Sequence, residues 1–166
     1  MKLEFPELKH KENYEKLIKK WWELEDLDEM SPWALFLWKN YEEFLEITNE
    51  YRINSMSWVN SDLYFIIDDS EKIVWAIQLR HSLWNPILKE FWWHIWYWIA
   101  PEFRRKWYAN EALKLLFIKA KEFWLNEILI TCEINNIASE KILEKNWWVF
   151  ERLSECGKYK RFWINL

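Results

Sequence analysis

Glu90-Phe-Trp-Trp-His94-Ile-Trp-Tyr97-Trp-Ile-Ala100-Pro-Glu-Phe-Arg104-Arg-Lys-Trp107-Tyr-Ala109 is the stretch on which the reading of this chain turns. Its alternating aromatics predict a strand that Pro101 ends, followed by a basic turn and, from Tyr108, a helical apolar pattern. Trp92, Trp96 and Trp98 would share one face and Trp93 the other, crowding both sides of the strand. A basic turn directly before a helix suits an anion, because the first N–H groups lack partners and the helix dipole favours negative charge; its plainer reading is a basic turn on an otherwise acidic protein. Main chain comes close to an anion, and takes the φ of such a turn, only where there is no Cβ. An indole at 107 would fill the place of the anion.

Composition bears directly on that conflict. An average domain is about 7% glycine, yet the 166 residues hold 1 Gly and 16 Trp. Deficit and excess match, so most of these tryptophans are expected to be glycines from a genome that reads UGA as glycine, written with a table in which UGA means tryptophan. Position supports this: Trp124 follows a helix pattern ending at Phe123, and Trp147 and Trp148 follow Glu144-Lys145-Asn146, where glycine is the usual stop. Trp163, in an aromatic terminal strand, and Trp33 and Trp58 fit as genuine. The competing reading is an aromatic-rich protein in which all sixteen are real and the strand is simply hydrophobic.

With glycine at 107 the turn becomes Arg104-Arg105-Lys106-Gly-Tyr108-Ala109, which resembles the acetyl-CoA pyrophosphate loop of the GNAT superfamily of N-acetyltransferases. With glycine at 92, 93, 96 and 98 the preceding segment is similar to that family's fourth strand, and Ile73-Val74-Trp75-Ala76 resembles its third. A second segment, Asn135-Asn136-Ile137-Ala138-Ser139 leading to Glu144-Lys145-Asn146, is similar to the family's Asn-x-Ala-Ser and Glu-Lys-x-Gly pattern. The resemblance covers nearly the whole chain.

Length and charge fit that class. The chain suffices for one domain, residues 1–166, with a sizeable core. A net charge of −4 argues against nonspecific nucleic-acid binding. Cys132 and Cys156 lack metal-ligand spacing and read as thiols of a reducing cytosol, so no metal is expected. No apolar run suits export or membrane insertion, and a cytoplasmic location is expected.

The pattern of elements predicts an α/β (α+β) domain: a central mixed, mostly antiparallel sheet of six or seven strands flanked by about four helices, in the order βααβββαβαββ. Residues 2–8 read as a first strand, 12–25 as a helix, 26–31 as an acidic connection and Ser31-Pro32 as the start of a second helical region, interrupted near 38–40 and ending near Tyr51. Residues 62–68 and 72–81 form a hairpin, and 82–89 are irregular. Tyr108 to Phe123 carries an apolar stripe through Ala112, Leu115, Leu116, Ile118 or Lys119, and Ala120. Residues 127–132 make a buried strand, 138–146 a helix, and 149–153 with 159–165 a closing hairpin around Gly157.

The resemblance implies direct acetyl transfer from acetyl-CoA, a cosubstrate, to an amine of a small molecule or peptide, with no covalent enzyme intermediate. Ile99, Arg104, Arg105, Lys106, Trp107, Tyr108 and Ala109 would hold the cofactor, with Asn136 and Ser139 on its pantetheine or adenosine end. The N–H near Ile99 would stabilise the oxyanion. His94 matches the family's base position and has an ordinary pKa of about 6.5 near working pH; its plainer reading is a buried strand residue. Many relatives place a tyrosine acid on the last helix, but Lys141-Ile142-Leu143-Glu144 offers none, which leaves water, Tyr159 or, CoA thiolate being a fairly good leaving group, no acid at all. Arg80-His81 could meet an acidic group of the acceptor, or be a solvated strand end. The resemblance leaves a homodimer open. The other class in play is an interaction protein on the same fold, without transfer chemistry, whose cofactor loop is blocked because Trp107 is real.

Overall fold

The computed structural model describes residues 1–22, 40–53, 59–83 and 93–166. Along them run β1 (Lys2–Glu4), a 3-10 turn (Leu8–His10), α1 (Lys11–Trp22), α2 (Tyr41–Ile53), β2 (Ser61–Ile67), β3 (Ile73–Arg80), β4 (Ile95–Ile99), α3 (Tyr108–Glu122), β5 (Glu127–Glu133), α4 (Ile137–Lys145), β6 (Val149–Leu153) and β7 (Tyr159–Asn165). The acidic connection at 26–31, the Ser31-Pro32 cap, the break near Trp38 and the position of Trp92 lie outside the described residues.

The strands form two sheets, β1-β2-β3-β4 and β5-β7-β6, antiparallel throughout. The seven strands thus do not share one continuous ladder. β2 and β3 are apolar on both faces because each face is covered. One face carries Ile66, Val74, Ile77 and Ile95 against α3 and α4; the other carries Phe65, Ile67, Ile73 and Ala76 against Tyr14, Tyr41 and Phe44 of α1 and α2. The β2–β3 turn closes on Asp68, whose Oδ1 accepts from the N–H groups of Ser70 and Lys72. On α3 the buried stripe is Ala109, Ala112, Leu113, Leu116 and Ala120, while Ile118 faces outward. Leu113 takes the inward place expected of Leu115 because 109, 113, 116 and 120 are spaced by three and four.

The ends of α3 and α4 are alike in detail. After α3, the N–H of Leu125 donates to Ala120 O and that of Trp124 to Lys121 O; after α4, Trp148 donates to Leu143 O and Trp147 to Glu144 O. Both are Schellman stops, and each sets its C′ residue in the left-handed region, Trp124 at φ 58° and Trp147 at φ 66°. Gly157, the only glycine, has φ 70°. Such a backbone costs an L-residue about 1–2 kcal/mol, and nothing offsets it here, since the side chains of Trp124 and Trp147 are 90% and 85% exposed. Trp148 differs from its neighbour: it is buried against Phe117 in the core and its φ is not positive.

These adjacent tryptophans therefore answer substitution with opposite signs. Trp147→Gly is expected to stabilise by about 1 kcal/mol and Trp148→Gly to destabilise by about 3–5 kcal/mol, read as urea midpoints.

Candidate active site

Two hydrogen bonds between one residue pair tie the two sheets together. The N–H of His94 donates to Leu129 O at 2.9 Å, and the N–H of Leu129 donates to His94 Nδ1 at 2.9 Å. Beyond this pair β4 bonds to β3 and β5 to β7, so the strands part and leave a wedge between them. His94 is buried, with Trp163 edge-on at 6.4 Å. An imidazole whose Nδ1 accepts carries its proton on Nε2 when neutral. The ring presents a donor there, and acting as a base would require release of Leu129.

Tyr97 lies beyond the junction, and its hydroxyl donates to Ser139 Oγ on the first turn of α4 at 3.1 Å. Burial pushes that hydroxyl up to about 12, and burial likewise pushes the thiol of Cys132, on the facing strand β5, up to about 11. Both groups are protonated at neutral pH. Asn136 caps α4, its Oδ1 accepting from the Ser139 N–H at 3.0 Å. Tyr97 on β4 thus places a buried, protonated hydroxyl against the first turn of α4. Its pairing with Ser139 joins segments 42 residues apart, and no sequence spacing announces it.

At the far end of β4, Ile99 lies opposite Trp75, where β3 takes φ 143° beside a register shift. A 3-10 turn, Pro101–Phe103, then leads to Arg104, Arg105 and Lys106. Arg104 turns back, its Nε donating to Ile99 O at 3.1 Å and its guanidinium 5.1 Å from the Trp98 ring. Lys106 lies over Phe103 and Arg105 has φ 61°. Trp107 is the N-cap of α3 at φ 69°, ψ −4°, with no side-chain cap, and its carbonyl accepts the first helical bond from Glu111. Tyr108 packs edge-on against Phe103, and Ala109 is buried beneath the turn.

Of the six non-glycine residues with positive φ among those described, four are Trp75, Trp107, Trp124 and Trp147. Trp93, Trp96 and Trp98 are not among them, so at those positions the backbone makes no demand for glycine. Trp163 donates its Nε1–H to Glu151 at 3.0 Å, as a genuine tryptophan does. Arg80 and His81 point inward: Arg80 donates to Trp93 O at 2.9 Å, and His81 stacks on Phe123 at 3.8 Å.

The acetyltransferase (GNAT) domain family model matches residues 1–146. The chain belongs to the GNAT acetyltransferases. Membership makes it an N-acetyltransferase by class. Its fold is that of the microcin C7 self-immunity acetyltransferase MccE, solved with acetyl-CoA and AMP (17% identity, TM-score 0.69, 99% of this chain and 91% of that one). It is likewise that of RimL, a ribosomal L7/L12 alpha-N-protein acetyltransferase solved with coenzyme A (16%, 0.69, 99% and 93%). A spermidine N-acetyltransferase SpeG chimera from Vibrio cholerae and hSSAT is similar too (16%, 0.63, 99% and 96%). No curated protein sequence matches the chain.

Two measurements check this geometry. His94→Ala leaves the buried Leu129 N–H without its acceptor and is expected to cost about 1–3 kcal/mol, whereas His94→Gln, with a carbonyl to offer, retains most of the stability. For Tyr97, a folded-state value near 12 against an ordinary 10 means that the unfolded chain gives up its proton first. That contribution is complete below pH 10 and is lost as pH rises to 12; thermal melts of the parent should fall more steeply across that window than those of Tyr97→Phe.

Proposed function

We propose that the protein, with glycine at 75, 107, 124 and 147, transfers the acetyl group of acetyl-CoA directly to a primary amine of a small molecule or peptide in the cytoplasm. The observation that carries this reading is the left-handed backbone at residue 107, where a basic turn enters α3. Glycine at 107 would take this backbone without strain and leave no Cβ beside the first N–H groups of α3, as a pyrophosphate loop needs. The neighbours' activities, on ribosomal protein and spermidine, support an amine acceptor without choosing between the two kinds.

In this reading the N–H groups of residues 107 to 109 receive the pyrophosphate, with Arg104, Arg105 and Lys106 supplying positive charge. The pantetheine arm runs into the wedge toward Asn136 and Ser139. The acceptor's nitrogen forms a bond to the thioester carbonyl carbon, with the developing oxyanion near the Ile99 N–H. The C–S bond then breaks, and the leaving sulfur takes a proton from the Tyr97–Ser139 pair. We assign His94 to holding the junction that opens the wedge, with water removing the ammonium proton. His94→Gln should then keep turnover within about tenfold, whereas loss of a general base would cost about 10²–10⁴-fold.

The second reading, a GNAT-fold interaction protein without transfer chemistry, rests on the Trp107 ring, which is 64% exposed and lies beneath the Lys145 ammonium. Acetyl-CoA titration of two purified chains, one as written and one with glycine at the four positions, decides between them. The glycine chain is expected to gain about 5 °C or more in melting temperature at saturating acetyl-CoA, and the chain as written to gain nothing. UGG codons at these positions, or equal indifference of both chains to acetyl-CoA, would sink the proposal.

A further inference from the structure

We infer that Lys145, at the end of α4, is a ligand of the cofactor's pyrophosphate; this rests on the acetyl-CoA site proposed above. Its Nζ lies 3.7 Å from the centroid of the Trp107 ring. In the reading above a phosphate takes the place of that ring, and the face of an indole is the negative side of its quadrupole. The ammonium is therefore already seated on an electron-rich group at residue 107. Glycine at 107 removes the ring and leaves the cation beside the residue at which α3 begins.

The position of Lys145 is built into the fold. Asn146, its neighbour and the C-cap of α4, is buried; its Nδ2 donates to Asn110 Oδ1 at 2.8 Å and to Ile142 O at 2.7 Å. Asn110 is buried in the first turn of α3 and donates in turn to Glu111. This latch fixes the end of α4 beside the start of α3, so a lysine far away in sequence is carried to the pyrophosphate loop. The turn's own cations are differently placed: Arg104 reaches back to Ile99 O, and Lys106 lies over Phe103. A cation in the last turn of a helix is also favoured by the helix dipole, but that effect does not aim it at residue 107.

Calorimetric titration of the chain with glycine at 75, 107, 124 and 147 tests the assignment, using acetyl-CoA and its analogue lacking the 3′-phosphate. Lys145→Gln is expected to weaken both ligands about tenfold, Lys145→Arg to recover most of the loss, and Lys141→Gln, on the same helix, to change neither. Parental affinity in Lys145→Gln would overturn the role of Lys145 while leaving the acetyl-CoA site intact. A loss confined to the 3′-phosphorylated ligand would overturn the pyrophosphate assignment. A parent that binds neither ligand removes the site reading itself, and Lys145 with it.

Discussion

The left-handed backbone at a few turns is the constraint on which the rest of this domain depends. α3 must begin at 107 and stop at 124, and α4 must stop at 147, for the sheets between them to pack on both faces. All three residues lie at φ between 58° and 69°. At about 1–2 kcal/mol for each L-residue so held, three such turns and the more extreme Trp75 take a large part of the 5–15 kcal/mol by which a domain is stable. The exposed indoles at 124 and 147 return nothing for that cost. Glycine removes it and leaves every helix-stop hydrogen bond in place, because those bonds are made by main chain.

The second constraint is the point at which the sheets meet. His94 and Leu129 bond to each other through main chain and imidazole, and past them the strands diverge. A wedge of this kind requires a last contact, and a buried imidazole that accepts an N–H makes that contact specific. It also explains why the polar pair of Tyr97 and Ser139 can exist inside an apolar cluster: the ladder that would have closed over them has already ended. Burial keeps the Tyr97 hydroxyl protonated at neutral pH, so it meets Ser139 as a hydroxyl rather than a charge.

Much of this was legible in the sequence, and the reasons vary by element. Alternation and apolar runs marked β2, β3 and β5, and glycine-like punctuation marked the ends of α3 and α4, because local backbone demands leave local signatures. The loop at 104–109 was legible even through its tryptophans, since a basic turn before a helix has only a few uses. Hidden were the contacts between distant segments: the His94 junction, Tyr97 with Ser139, and Asn146 with Asn110. Tyr97 stood in the decisive stretch as one aromatic among many, and only the parting of the strands gives it a task. Trp147 and Trp148 look identical as letters, and backbone conformation separates them, one in a turn that wants no side chain and the other filling the core beside Phe117.

Charge follows the same logic of place over composition. The chain is acidic overall, at −4, which argues against a general affinity for polyanions. Yet Arg104, Arg105, Lys106 and Lys145 gather where a helix dipole already favours negative charge, and the field at a mouth is set by the groups lining it rather than by the sum over the surface. An acidic body repels nucleic acid at long range, while a basic mouth, in the reading proposed above, favours a small phosphorylated ligand at short range. Since screening at physiological salt limits exposed charges to about 8 Å, the two effects do not cancel, and the loop's selectivity rests on which cations the fold brings within that distance of residue 107.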